Sequence, residues 1–194
     1  MNFDQFRFSL RATLCEWLHL SDQALEAWTE VRRINPSHLV AVRSIAWIQA
    51  RKERWIEAAA GFEQAVALES THADSWFNLG YARENIGQTD AAQAAFVRCT
   101  EINPHHDRAW YGQGMIHAHR GDHGAAAEAL QRAAELQPMN GIAWYALGMA
   151  HYHNHAPESV EGVIRHLALN EPPTAKRLIR DTERADLTHL VEPL

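Results

Sequence analysis

Three stretches of this chain superpose when shifted by 34 residues: "ADSWFNLGYARENIGQTDAAQAAFVRCTEINP" (73–104), "DRAWYGQGMIHAHRGDHGAAAEALQRAAELQP" (107–138) and "GIAWYALGMAHYHNHAPESVEGVIRHLALNEP" (141–172). Trp76, Trp110 and Trp144 fall in register, as do Gly80, Gly114 and Gly148, and Pro104, Pro138 and Pro172 close the units. The register extends backwards through Val42, Ala46, Ala58, Phe62 and Ala65, and again through Phe8, Ala12, Ala24, Trp28 and Pro36. Five units therefore cover residues 5–174. A period of this length constrains the fold more than any other feature. Each unit is one supersecondary element that cannot bury its apolar face alone, and only stacking on its neighbours makes the core continuous.

Within a unit, two helices are predicted. Trp76, Leu79, Gly80 and Arg83 lie at helical spacing, and so do Ala92, Phe96 and Cys99. Small residues recur at Gly80/Gly114/Gly148 and at Ala58/Ala92/Ala126, where a missing side chain lets two helices approach to roughly 8–10 Å. "NIGQTD" and "HRGDHG" interrupt the pattern, with Gly87 and Gly121 placed to terminate the first helix. The closing proline stops the second.

The pattern W-x2-L-G … A-x3-F … P at this period resembles the tetratricopeptide repeat family. The resemblance implies an all-α, right-handed superhelical α-solenoid of stacked antiparallel helix pairs. It implies one domain over 1–194, with repeats at 5–38, 39–72, 73–106, 107–140 and 141–174 and a capping helix over 175–194. Arg11 stands where Ile45, Leu79 and Leu147 are apolar, which suits an edge of the stack. The implied function is a non-enzymatic protein–protein interaction module, adaptor or chaperone-like, that holds a peptide segment of a partner in a concave groove. The alternative is a self-assembling structural scaffold, with copies of the chain as partners.

In this family, groove contacts come from the first helix of each unit. By position they fall on Arg43, Phe77, Tyr111 and Tyr145 at the fifth place and on Trp47, Tyr81, Met115 and Met149 at the ninth. His119 and His153 take the thirteenth place. This is a lining rich in aromatic and methionine side chains, suited to large rigid contacts and adaptable ones respectively. A carboxylate clamp known in the family is matched at Arg43, Asn78 and Arg108. Trp47 and Gly112 stand where a further amide and a further base belong. The expected ligand is a protein or peptide segment with an acidic group beside apolar or aromatic anchors.

Thirteen histidines raise the question of a metal. A tight site needs three or four ligands within about 2.0–2.1 Å of one point. His117 and His119 are two apart on one helix and point to different sides. His119 and His153 share a repeat position and face each other across neighbouring repeats, but no third ligand is evident. His38, His72 and His106 share one position, just after the helix-ending residue of their unit, and read as loop or cap residues, while His117 and His151 pack between helices. No metal and no cofactor are expected. Catalysis finds no foothold either: there is no glycine-rich phosphate loop, and Cys15 and Cys99 occupy core positions of the repeat. The net charge of −6 argues against nucleic acid. No run of about 18 apolar residues is long enough to span a membrane. Asp4, Arg7 and Arg11 interrupt any secretory signal at the N-terminus, so a cytoplasmic location is expected.

Overall fold

The computed structural model describes residues 3–191. Ten helices form five pairs: α1 (Phe3–Trp17) with α2 (Ser21–Ile34), α3 (Leu39–Arg51) with α4 (Trp55–Leu68), α5 (Ala73–Asn85) with α6 (Thr89–Ile102), α7 (Asp107–His119) with α8 (His123–Leu136), and α9 (Gly141–His153) with α10 (Pro157–Asn170). An eleventh helix, α11 (Pro172–Asp181), and a short 3₁₀ turn over Ala185–Leu190 follow. There is no strand among the described residues. The helices divide into two compact units, Met1–Ile102 and Asn103–Leu194. Each unit is a run of stacked helix pairs, the all-α solenoid arrangement.

Helix starts follow from side-chain caps. His38, His72 and His106 each accept, through Nδ1, the backbone N–H three residues on (Ala41, Ser75 and Ala109). Asn140 does the same work for α9 with Oδ1. The histidines at this position are thus N-caps, satisfying a backbone donor that the helix cannot.

Helix ends follow from a left-handed residue. His19, Glu53, Gly87, Gly121 and His155 all have φ between 55° and 78°. Behind each, the next amide bonds back five residues: Leu20 N–H to the Cys15 carbonyl, Arg54 to Gln49, Gln88 to Arg83, Asp122 to His117 and Ala156 to His151. This is the Schellman closure. Glycine fills it in two of the five pairs. In the other three the chain holds a side chain in a conformation that glycine favours.

Packing explains the remaining repeat positions. In the first unit, Ala12, Trp28, Val31, Ile45 and Ile48 form one core cluster, and Ala46, Phe62, Val66 and Leu79 another. In the second, Leu130, Leu147, Val163, Ile164, Leu167 and Leu178 form a single cluster. A Cβ on Gly80 would stand 2.7 Å from the Phe96 ring, and one on Gly114 would stand 2.6 Å from Leu130 Cγ. The recurrent tryptophan has a polar reason as well. Trp76, Trp110 and Trp144 donate Nε1–H to the carbonyls of Ser70, Pro104 and Pro138 at 2.9–3.0 Å. Each indole so ties the first helix of a pair to the linker that precedes it.

The last helix departs from the expected range. The repeat predicts a start at 175, but α11 begins at Pro172, where a proline pair fits the first turn because those amides need no helical partner. It ends at Asp181, and Ala185–Leu190 adds a separate turn. Residues 192–194 of the expected cap lie outside the described residues.

Candidate interaction faces

In the first unit, α3 and α5 present their outward side chains to a cleft of about 710 Å³, lined among others by Trp47, Arg43, Arg51, Asp74 and Asn78. Trp47 keeps 46% of its surface exposed, and the Arg51 guanidinium lies 4.8 Å from its ring centroid. Tyr81, one repeat further on, is also 46% exposed. It is held edge-on by Trp55 at 5.5 Å between centroids. Asn78 is half-buried in the wall.

Two residues assigned to this face have other duties. Phe77 is only 8% exposed. Its ring packs 5.8 Å from Phe96 and 6.3 Å from Tyr81, so it supports Tyr81 from below. Arg43 is paired with Glu69 and donates Nε–H to Ser75 Oγ at 3.1 Å. Ser75 Oγ in turn lies 2.9 Å from His72 Nδ1. Arg43 thus joins α3 to the cap of α5. Arg51, outside the clamp positions, is an exposed base beside the aromatic surface.

In the second unit, Arg108 is exposed on the first turn of α7, and Tyr111 and Met115 follow it along that helix, both half-buried. Tyr111 and Met149 rest on the core cluster, and His119 is exposed at the helix end. Tyr145 is covered from the C-terminal side. Its hydroxyl donates to Asp181 Oδ2 at 2.7 Å, and Arg177 lies 4.3 Å over its ring. Burial, then the Asp181 carboxylate, push the phenol above its ordinary range. Asp181 is held below the usual carboxylate range by Arg180 and by the Tyr145 hydroxyl. α11 carries these groups over the ring, an arrangement the repeat pattern does not contain.

The histidines separate likewise. His153 stacks on His123 at 4.9 Å, so the pairing with His119 read from the repeat is replaced by a contact with the start of α8. His117 sits beside Asp122, with Nδ1 3.4 Å from Oδ2. His151 is half-buried, and that burial lowers its imidazole pKa. Among the described residues no group of three His, Cys, Asp or Glu is placed to hold a metal ion. No helix among them is long and apolar enough to cross a membrane.

The comparisons with known proteins agree with this architecture. A family profile described as tetratricopeptide repeat matches residues 77–138 and 120–159. No curated protein sequence matches the chain. Among solved structures, the chain is similar to the MamA protein, at 18% identity over 96% of this chain and 98% of that one with a TM-score of 0.78. It is also similar to a MamA fragment from Desulfovibrio magneticus RS-1, at 17% identity over 93% and 98% with a TM-score of 0.77. A third is YrrB, described as a TPR protein with an unusual peptide-binding site, at 20% identity over 87% and 88% with a TM-score of 0.76. At these identities the likeness speaks to fold. The family match identifies residues 77–159 as tetratricopeptide repeats, and the in-register motif and stacked helix pairs carry the same architecture through the other pairs.

Proposed function

We propose that the chain is a non-enzymatic interaction module that binds a peptide segment of a partner protein on the outward faces of its first helices. Tetratricopeptide repeats mediate protein–protein interaction, and the finer reading rests on the first unit's cleft. The observation that carries it is the pair Trp47 and Tyr81. They stand half-exposed at the same repeat position on α3 and α5, beside a cleft with polar walls. Large rings left open to water on a scaffold that buries its other core aromatics mark an interaction site. The partner segment this face fits carries an apolar or aromatic anchor for Trp47 and an acidic group within reach of Arg51. Arg43 is engaged with Glu69, which shifts the expected charge contact to Arg51. YrrB, described by its peptide-binding site, shows that the same fold elsewhere serves such a purpose. A cytoplasmic location belongs to this reading and accords with Cys15 and Cys99, both buried and free.

The test uses a random peptide library displayed on phage and selected on the whole protein. Selected peptides are then measured by calorimetry against Trp47→Ala and Tyr81→Ala. Loss of a hot-spot ring costs about 2 kcal/mol or more, with helicity retained because both side chains are half-exposed and lie outside the fully buried core. Unchanged affinity in both variants removes the cleft from the reading.

A further inference from the structure

A second surface is more apolar than the cleft, and it lies on α1. Phe3, Phe6, Leu10, Leu14 and Trp17 are 74%, 48%, 61%, 54% and 75% exposed. At about 100° per residue these five side chains fall within an arc of roughly 80°. The opposite side of the helix buries Ala12 and Cys15 against α2 and α3. Among the described residues nothing packs on this stripe, although its spacing of three and four residues is that of a helix–helix seam.

We infer that this stripe is the contact through which two copies of the chain pair, α1 against α1 in antiparallel array about a twofold axis at Leu10. The sequence of the stripe is symmetric about that residue. Reversed and superposed, Leu10 meets Leu10, Phe6 meets Leu14, and Phe3 meets Trp17. A twofold interface requires this self-complementarity, since each contact must occur twice with its partners exchanged. The flanks permit it too. Arg7 comes opposite Thr13 and Arg11 opposite Ser9, so no base faces a base. Asp4 lies off the seam beside Arg7, and Glu16 accepts the indole N–H of Trp28 at 3.0 Å.

The area is of the right size. A buried aromatic contributes about 150–250 Å², so the exposed parts of Phe3, Phe6 and Trp17 alone offer roughly 400 Å² per copy. That is about half of the 800 Å² or so that each partner buries in a stable interface. Leu10, Leu14 and the aliphatic stems of the flanking arginines add to it. This pairing is independent of the peptide-binding reading, because it uses none of the cleft residues.

Sedimentation velocity on the whole chain tests it. At a loading of about 100 µM, a dimer with a dissociation constant near 1 µM is almost complete. The expected result is twice the monomer mass for the native sequence, and mostly monomer for Leu10→Asp, which enters the twofold contact twice and lowers the affinity about 1,000-fold. The exposed position of Leu10 leaves the helical circular dichroism unchanged. The register is read separately with a short bis-maleimide. Leu10→Cys cross-links to its own copy, whereas Leu14→Cys, which faces Phe6, does not. A native protein that stays monomeric at that loading overturns the inference and leaves the stripe to a different partner. Faster cross-linking of Leu14→Cys than of Leu10→Cys overturns the antiparallel register.

Discussion

Replacing His19, Glu53 and His155 by glycine is expected to stabilise the protein, although each change removes a side chain. All three hold φ near 55–58° at the turn where Gly87 and Gly121 hold 75° and 78°. A left-handed conformation costs a residue with a Cβ roughly 1–2 kcal/mol. Glycine returns roughly 0.5–1 kcal/mol of that through its greater freedom in the unfolded chain. The net gain is therefore about 0.5–1 kcal/mol per site. The three side chains are exposed and make no hydrogen bond or ion pair among the described residues, so nothing else is lost. They share no side-chain partner, so the triple variant gains about 1.5–3 kcal/mol. For a chain of this size each kcal/mol raises the melting temperature by about 2–4 °C. Circular dichroism melts and urea titrations of the single and triple variants measure it. The reverse exchange is the control. A Cβ on Gly87 or Gly121 meets nothing within 4 Å, so Gly121→His tests backbone strain without a clash, and it is expected to lose about what His155→Gly gains. A triple variant no more stable than the native protein, with Gly121→His neutral, would falsify the strain argument.

Other outcomes follow from particular contacts. Gly114→Ala places a Cβ 2.6 Å from Leu130 Cγ and 3.3 Å from the Ala126 carbonyl; overpacking of this kind costs about 1–3 kcal/mol, read by urea denaturation. His106→Ala removes the acceptor that caps α7 and costs about 0.5–2 kcal/mol, whereas His106→Asn keeps an acceptor and retains most of that stability. Burial, with Asp74 nearby, pushes the Cys99 thiol up to about 12 from 9.0. The native thiol then resists iodoacetamide at pH 8, and since the unfolded thiol ionises first, its contribution to stability is present below pH 9 and is lost as pH rises towards 12. Mass spectrometry of the alkylated protein reads the first effect, and urea midpoints across that range in a Cys99→Ala comparison read the second.

Much of this fold is legible in the sequence because its helix pairs obey one short-range rule copied five times. The position shared by Ala12, Ala46, Gly80, Gly114 and Gly148 is small because a facing helix leaves no room, and that constraint shows at every copy. The histidine caps are legible for the same reason, as His38, His72 and His106 recur in step. What escapes the repeat is set by single, long-range contacts. Arg43 belongs to a ligand face by position, yet Glu69 and Ser75, 26 and 32 residues further on, claim its guanidinium. Phe77 is buried, with its ring packed between Phe96, 19 residues on, and Tyr81. The left-handed turns at His19, Glu53 and His155 carry no glycine to announce them. Their conformation is imposed by the Schellman closure around them. The stripe on α1 shows in sequence only as apolar residues at helical spacing, which reads as core until the structure leaves that side bare.

The contact between Tyr145 and α11 sets a stop along the second unit. A segment lying on Tyr111 and Met115 and running toward α9 meets the Arg177 guanidinium already seated on the next ring, with Asp181 holding the phenol. That ring's polar end is spoken for, so on the proposed reading α11 works as a resident guest where the following repeat would take a partner segment. The reach of this face is accordingly measured from the terminal helix inward, not by counting tryptophans. An Asp181→Ala, Arg177→Ala chain would lengthen it by one aromatic step without adding a repeat.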